Sequence, residues 1–233
     1  MKLDNESMSI LKNFAIINSS ILFKPGKVQK TVSGGKAGGI PVEKVVLAEA
    51  EFPIEFPKEC AIYDLPQFLN LVSVLGEVDI TFKEDHLILK NKSRETPYRY
   101  CSPNLVVSPN DTSNLKEMMD DSQVTFDLSY EDLVETIKVA SILDLNELMI
   151  EGKNGKLVAT AIDSENDLSN SSSVELSSYD GSDFKGIFNL SYLQFIPGNY
   201  KVSVVGDSSE KLGFARFAGE KVTYHVAMNN FEE

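Results

Sequence analysis

The side chains that could carry covalent or acid–base chemistry are few and do not converge. His86 and His225 lie far apart, each in a strand-like stretch, and read as strand residues rather than general bases. Cys60 and Cys101 are the only cysteines. The opening Met1-Lys2-Leu3-Asp4 turns acidic and polar at once and does not read as a signal peptide. Free buried thiols are therefore expected rather than a disulfide. There is no CxxC, so a zinc site is not expected either. Ser33-Gly34-Gly35-Lys36-Ala37-Gly38-Gly39 has the look of a phosphate cradle, but Ala37 stands where Ser or Thr is needed and strands follow instead of a helix. It reads as a flexible hairpin loop. The acidic run within Asp163–Ser172 lacks the glycine and terminal glutamate of a calcium loop and reads as a solvated loop. No GxSxG, HExxH or strand-borne GxGxxG occurs. No enzyme, cofactor or metal is predicted.

Charge carries more information. The net formal charge of −13 argues against an ordinary nucleic-acid binder, whose affinity comes from cations meeting phosphates. Position matters more than number. Lys12 lies mid-helix in the first of four predicted helices, and Lys138 lies mid-helix in the third. Helices two and four carry Gln67, Asn70 and Gln194 where acid might stand. A solvated helix face explains any single lysine. The equivalence of Lys12 and Lys138 favours a common surface, more basic than the chain average. Glu131, Asp132 and Glu135 weigh against it, although acid belongs at a helix N-terminus in any case.

The elements that place these lysines repeat. Leu3, Leu65, Leu128 and Leu190 are spaced by 62, 63 and 62 residues. Tyr63-Asp64-Leu65-Pro66, Phe126-Asp127-Leu128-Ser129 and Phe188-Asn189-Leu190-Ser191 each end a short apolar strand with a polar cap or proline, then open an amphipathic stretch. A fixed period of this kind decides architecture. It predicts an α+β chain of four strand–helix–strands units paired into two domains, 1–101 and 122–233, joined by a linker over 102–121. The linker lacks periodicity and carries Pro103, Asn104, Pro109, Asn110 and Asn114 around an apolar Leu105-Val106-Val107.

Helices are predicted over 6–18, with Leu11, Phe14 and Ala15 on one face, and over 65–75, with Phe68, Val72 and Leu75 as the stripe and Pro66 in the first turn. A third runs from a capping box at Ser129 and Asp132 to about Leu143, and a short fourth spans Tyr192–Ile196. Strands are expected at 20–24, 27–32, 43–50, 59–63, 77–82, 86–90 and 96–101. In the second half they fall near 123–128, 145–151, 156–162, 173–179, 184–188, 199–205, 211–217 and 222–228. Pro53 and Pro57 bracket a crossing segment, and 229–233 is a short acidic tail. No apolar run approaches the roughly 18 residues that span a bilayer, so no membrane partner is expected.

Several strings along the chain resemble the sliding clamps of T-even-type bacteriophages, which are DNA polymerase processivity factors. They are Leu11-Lys12-Asn13-Phe14-Ala15 with Ile17-Asn18-Ser19, and Ala61-Ile62-Tyr63-Asp64-Leu65. Val106-Val107 with Pro109-Asn110 and Pro197-Gly198-Asn199-Tyr200-Lys201 follow. Phe217, Gly219-Glu220, Tyr224, Val226 and Ala227 complete the set. Stretches 25–57 and 145–185 match weakly. The resemblance implies the DNA clamp fold, with helices inside and sheets outside a closed head-to-tail homotrimeric ring. It implies non-specific contact with duplex DNA, and the replicative polymerase and a clamp-loading ATPase as partners. Lys12, Lys138, Lys2 and Lys201 are then the candidates to face DNA. Val106, Val107, Pro109, Tyr224 and Val226 are candidates for a partner-peptide pocket, with ordinary core burial as the other reading. Subunit edges would fall at Thr96, Tyr98 and Tyr100 in one domain and at Val174 and Leu176 in the other. A ring holds DNA by topology, so an acidic exterior is compatible with it. The expected setting is the cytoplasm of an infected bacterial host. The alternative is a β-rich viral assembly or scaffold protein with no DNA role.

Overall fold

The computed structural model describes residues 1–37, 40–42, 45–109, 122, 124–166, 168–206 and 213–229. Expectations for Gly38, Gly39, residues 43–44, 110–121, Gln123, Asp167, residues 211–212 and the tail 230–233 lie outside the described residues. The chain divides into two compact units, Met1–Asn110 and Asp111–Glu233, and the division falls within the 102–121 stretch. No helix among the described residues is long and apolar enough to cross a membrane.

In the first unit, Asp4 caps α1 (Asn5–Ile17), its Oδ1 accepting the Ser7 N–H at 2.7 Å. Ile10, Leu11 and Phe14 are fully buried along α1, which packs on β5 (Val46–Phe56) and against α2 (Leu65–Leu75). Phe14, Phe52, Phe56 and Phe23 form a ring cluster. Phe23 stacks on Phe56 at 4.5 Å, and Phe52 meets Phe56 edge-on at 5.5 Å. Each buried ring contributes about 1.5–3 kcal/mol of apolar transfer. Asp64 caps α2 through the Gln67 N–H at 2.8 Å, and Gly76 ends it with φ +73°.

The strands of this unit are β1 (Ile21–Phe23), β2 (Gly26–Val32), β3 (Gly35–Ala37), β4 (Ile40–Val42) and β5. They continue with β6 (Cys60–Ile62), β7 (Asp79–Phe82), β8 (His86–Lys90) and β9 (Glu95–Arg99). The antiparallel pairs are β1–β6, β2–β5 and β3–β4, with β7–β8–β9 as a meander. Two expectations are corrected here. The glycine-rich segment is not only a loop, since Gly35–Ala37 pairs with Ile40–Val42. Pro53 does not start a crossing segment but lies inside β5. Pairing with β2 is interrupted between Glu51 and Phe56, so the β2 ladder does not need a Pro53 N–H.

In the second unit, β10 (Val124–Leu128) leads into α3 (Tyr130–Ile142). Ser129 Oγ accepts the Asp132 N–H at 3.0 Å and donates to Asp132 Oδ2 at 2.6 Å. β11 (Glu147–Lys153) and β12 (Lys156–Ile162) form a hairpin closed by Asn154 and Gly155, with φ +52° and +80°. Both central residues of such a turn need positive φ, and Asn-Gly supplies them at least cost. β13 (Ser172–Ser178) and β14 (Phe184–Asn189) complete a sheet in the order β13-β12-β11-β14, and α3 packs on β12 and β13. β10 pairs with β15 (Tyr200–Val205), which pairs with β16 (Phe214–Ala218) and then β17 (Val222–Ala227).

The expected fourth helix is absent. Leu190–Tyr192 makes a single 3₁₀ turn, capped by Asn189 Oδ1 on the Ser191 N–H at 2.9 Å. Pro197, five residues after the turn, supplies no N–H and disfavours helix at Ile196.

Candidate functional site

Lys12 and Lys138 are both exposed, on the faces of α1 and α3 opposite their buried residues. Their surroundings differ. The residues three and four positions from Lys12 are Met8, Ser9, Ala15 and Ile16, none charged. Around Lys138 they are Val134, Glu135, Ser141 and Ile142, and Glu131 lies one turn beyond Glu135. α2, beside α1, exposes Pro66, Gln67, Asn70, Ser73 and Val74 and carries no formal charge. The other two lysine candidates are not on helices. Lys2 precedes α1, with Nζ 3.8 Å from Glu77. Lys201 is a strand residue of β15, within the strand expected near 199–205, opposite Asp127 and Ala218.

The charge is distributed unevenly. Residues 1–110 contain 13 Lys+Arg and 13 Asp+Glu, a net of zero; residues 111–233 contain 9 and 22, a net of −13. The second unit therefore carries the whole excess of acid.

Of the partner-pocket candidates, Val106 is buried and Val107 and Pro109 are half-buried. Asn18, which ends α1, holds this segment to the first unit. Its Nδ2 donates to Val107 O at 3.0 Å and to Val32 O at 3.1 Å, while its Oδ1 accepts from Ser20 N and Oγ. The exposed apolar side chain is instead Leu105, 62% accessible. Sequence reasoning gave Asn18 and Leu105 no role, because nothing local reveals a bond to a residue 89 positions away.

Tyr224 and Val226 are fully buried and offer no surface, a correction to their place in the pocket. Tyr224 stacks on Phe195 at 4.2 Å. Its Oη accepts the Ile196 N–H at 3.1 Å, and Tyr200 Oη donates to Ile196 O. Two buried tyrosines thus satisfy both backbone groups of the residue before Pro197. Tyr224→Phe is expected to cost about 1–3 kcal/mol in urea unfolding by orphaning that N–H. Burial pushes the Tyr224 hydroxyl up to about 12 and also raises that of Tyr200. A phenol whose folded value is raised stabilises fully below its unfolded value near 10, and that stability is lost as pH rises through the folded one. Alkaline unfolding monitored between those values should shift to lower pH in a variant that loosens this pair.

The proposed edge residues lie on strands paired on one side only among the described residues. Thr96 and Tyr98 stand in β9, and Tyr100 just follows it. Val174 and Leu176 stand in β13, with Leu176 at a bulge. Tyr98 packs edge-on against Phe68 and donates to Asp64 O at 3.2 Å, so β9 is tied to α2. The opposite edge of that meander is occupied by Met1, which exchanges bonds with Ile80 in both directions. On the far side of β14, the Asn229 N–H bonds Ile187 O at 2.8 Å.

The Tyr100 N–H bonds Asp85 O and the Asn91 N–H bonds Arg94 O, which fixes the ladder's parity. Glu95, Pro97 and Arg99 therefore point their backbone groups away from β8. Pro97 costs the meander nothing, and it removes one donor from the free edge.

Cys60 is buried and its thiol is pushed up to about 12 by that burial; Cys101 is half-buried and also raised by desolvation. His86 Nδ1 lies 2.6 Å from Asp85 Oδ1, whose other oxygen takes Arg99 at 2.9 Å. The His86 bond, more than the Arg99 charge, holds the Asp85 carboxyl below its usual value. Among the described residues no group of three or more His, Cys, Asp or Glu could hold a metal.

A family model described as DNA polymerase processivity factor matches residues 4–108, and one described as gp45 sliding clamp, C terminal, matches 125–230. The sliding clamps of Enterobacteria phage T4 and Escherichia phage RB69 are 32% and 31% identical over 234 residues, covering 98% of this chain and 96% of each relative. The structure of A. fulgidus PCNA bound to the C-terminal region of FEN-1 shares the fold. Its TM-score is 0.66 at 11% identity, over 97% of this chain and 95% of that one. Bacterial DNA polymerase III β chains share it too, and this chain spans 63% to 65% of their length.

Proposed function

This chain belongs to the sliding-clamp family of DNA polymerase processivity factors, and on that premise we propose that three copies close head to tail around duplex DNA. The protein is a non-enzymatic accessory factor that tethers a polymerase to its template. The ring acts in the cytoplasm of an infected bacterial host. A clamp-loading ATPase opens it, and the replicative polymerase docks through a short apolar peptide beside Leu105, Val107 and Pro109. DNA contact is non-specific and comes from exposed helix residues, for which Lys12 and Lys138 are the candidates. Lys2 is partly engaged by Glu77 and Lys201 faces Asp127 across a ladder, so both contribute less.

The observation that supports the ring is that β9 in one unit and β13 in the other are paired on one side only among the described residues. A head-to-tail join between them leaves neither edge open, and repeating it by rotation closes a ring. The scaffold alternative loses its ground because both halves of the chain match polymerase-clamp families in order.

Light scattering across a concentration series is expected to return three times 25.8 kDa. Stimulation of a cognate polymerase on primed DNA should require loader and ATP. Exchanging Lys12 and Lys138 together for glutamate should abolish stimulation and leave the trimer intact. A monomer at every concentration would sink the ring.

A further inference from the structure

Resting on the clamp reading, we propose that the two units divide the labour at the DNA. The α1–α2 face of the first unit is the phosphate-binding surface, with Lys12 as its cation. The second unit's α3 face guides the duplex by repulsion, so Lys138 adds little despite its equivalent position.

Three independent observations carry this. The first is local. Glu135 lies three residues before Lys138, within a helical turn of about 5.4 Å, inside the Debye length of about 8 Å at physiological salt. It weakens the pull of Lys138 on phosphate and itself repels phosphate. Glu131 reinforces it from the turn before. The acid nearest to Lys12 along α1 is Glu6, six residues back and about 120° around the helix, so it shares neither the turn nor the face.

The second concerns neighbours. α1 packs beside α2, whose exposed Gln67 and Asn70 add neutral amide donors of the kind that bond phosphate oxygens without reading sequence. In the second unit the matching helix is reduced to the 3₁₀ turn Leu190–Tyr192. The third is global: the first unit is net neutral and the second carries −13. A polyanion is therefore held off by the second unit and not by the first. In a ring of alternating units, three weak contacts of this sort permit sliding.

The test uses the full-length protein and fluorescent duplex DNA, with anisotropy followed across a salt series. Lys12→Ala should reduce the slope of log affinity against log salt by about 1 for each copy engaging a phosphate. Lys138→Ala should change it by less than about half as much. Glu131→Gln with Glu135→Gln should tighten binding at low salt. Equal slopes for the two lysine variants, or no gain from the glutamine pair, overturn the assignment while the trimer stands. A wild-type protein that neither trimerises nor binds duplex overturns the clamp reading itself.

Discussion

Glu175→Pro is expected to leave each unit folded and to dissociate the proposed ring, whereas Glu175→Ala should leave that assembly intact. The reasoning runs from hairpin parity. Lys153 and Lys156 close the β11–β12 turn as a bonded pair, so Lys156, Val158 and Thr160 aim their backbone groups at β11. Leu157, Ala159 and Ala161 face β13, where they meet Ser177, Val174 and Ser172. Glu175 and Ser173 therefore point outward, and proline at 175 removes no bond to β12. What it removes is a donor from the proposed docking edge, and its ring adds bulk there. Each interface loses a bond worth about 1–3 kcal/mol, up to roughly a hundredfold in affinity, and closing the ring requires three such joins. Alanine at 175 breaks the Lys156–Glu175 pair, whose partners are 60% and 53% exposed, and a pair so exposed contributes about 0–1 kcal/mol. Sedimentation separates the outcomes. A trimeric proline variant with native circular dichroism would show that β13 is not the joining strand.

Phe195→Ala is expected to lower the stability of the second unit by about 3 kcal/mol. The ring stacks on Tyr224 at 4.2 Å and tilts against Phe217 at 4.9 Å and Tyr200 at 5.3 Å. Truncating a core aromatic costs about 3–5 kcal/mol through lost transfer energy and the cavity left behind, and partial exposure of Phe195 places it at the lower end. Phe195→Leu should recover about half of the loss. Urea unfolding with probes in both units checks this, since the first unit's aromatic cluster is built from its own residues. A loss below about 1 kcal/mol would mean that the ring only covers a core already closed by Phe217 and Tyr224.

The local rules read well from sequence wherever a single turn of chain contains the whole interaction. Asp64 and Ser129 were legible as caps because the N–H that each binds lies three residues on. α2 and β12 fall at their expected bounds because an apolar stripe or alternation, bounded by Pro66 and Gly76 or by Gly155, leaves little choice. The fourth helix was misjudged because Tyr192–Ile196 has helical spacing, while the decisive bonds to Ile196 come from Tyr200 and Tyr224. Pro53 misled for the same reason: whether a missing donor matters depends on a partner strand 25 residues away.

By itself the sequence determined the near-62-residue repeat, the alternation of strands and helices, the placing of Lys12 and Lys138 mid-helix, and the lack of a catalytic set. Each of these depends on residue type and short spacing. Only the tertiary structure decided that Asn18 pins the segment through Val107, that Tyr224 and Val226 are interior, and that β9 and β13 are paired on one side only among the described residues. Those facts depend on which distant segments meet, and burial and hydrogen-bond satisfaction are settled only when they do.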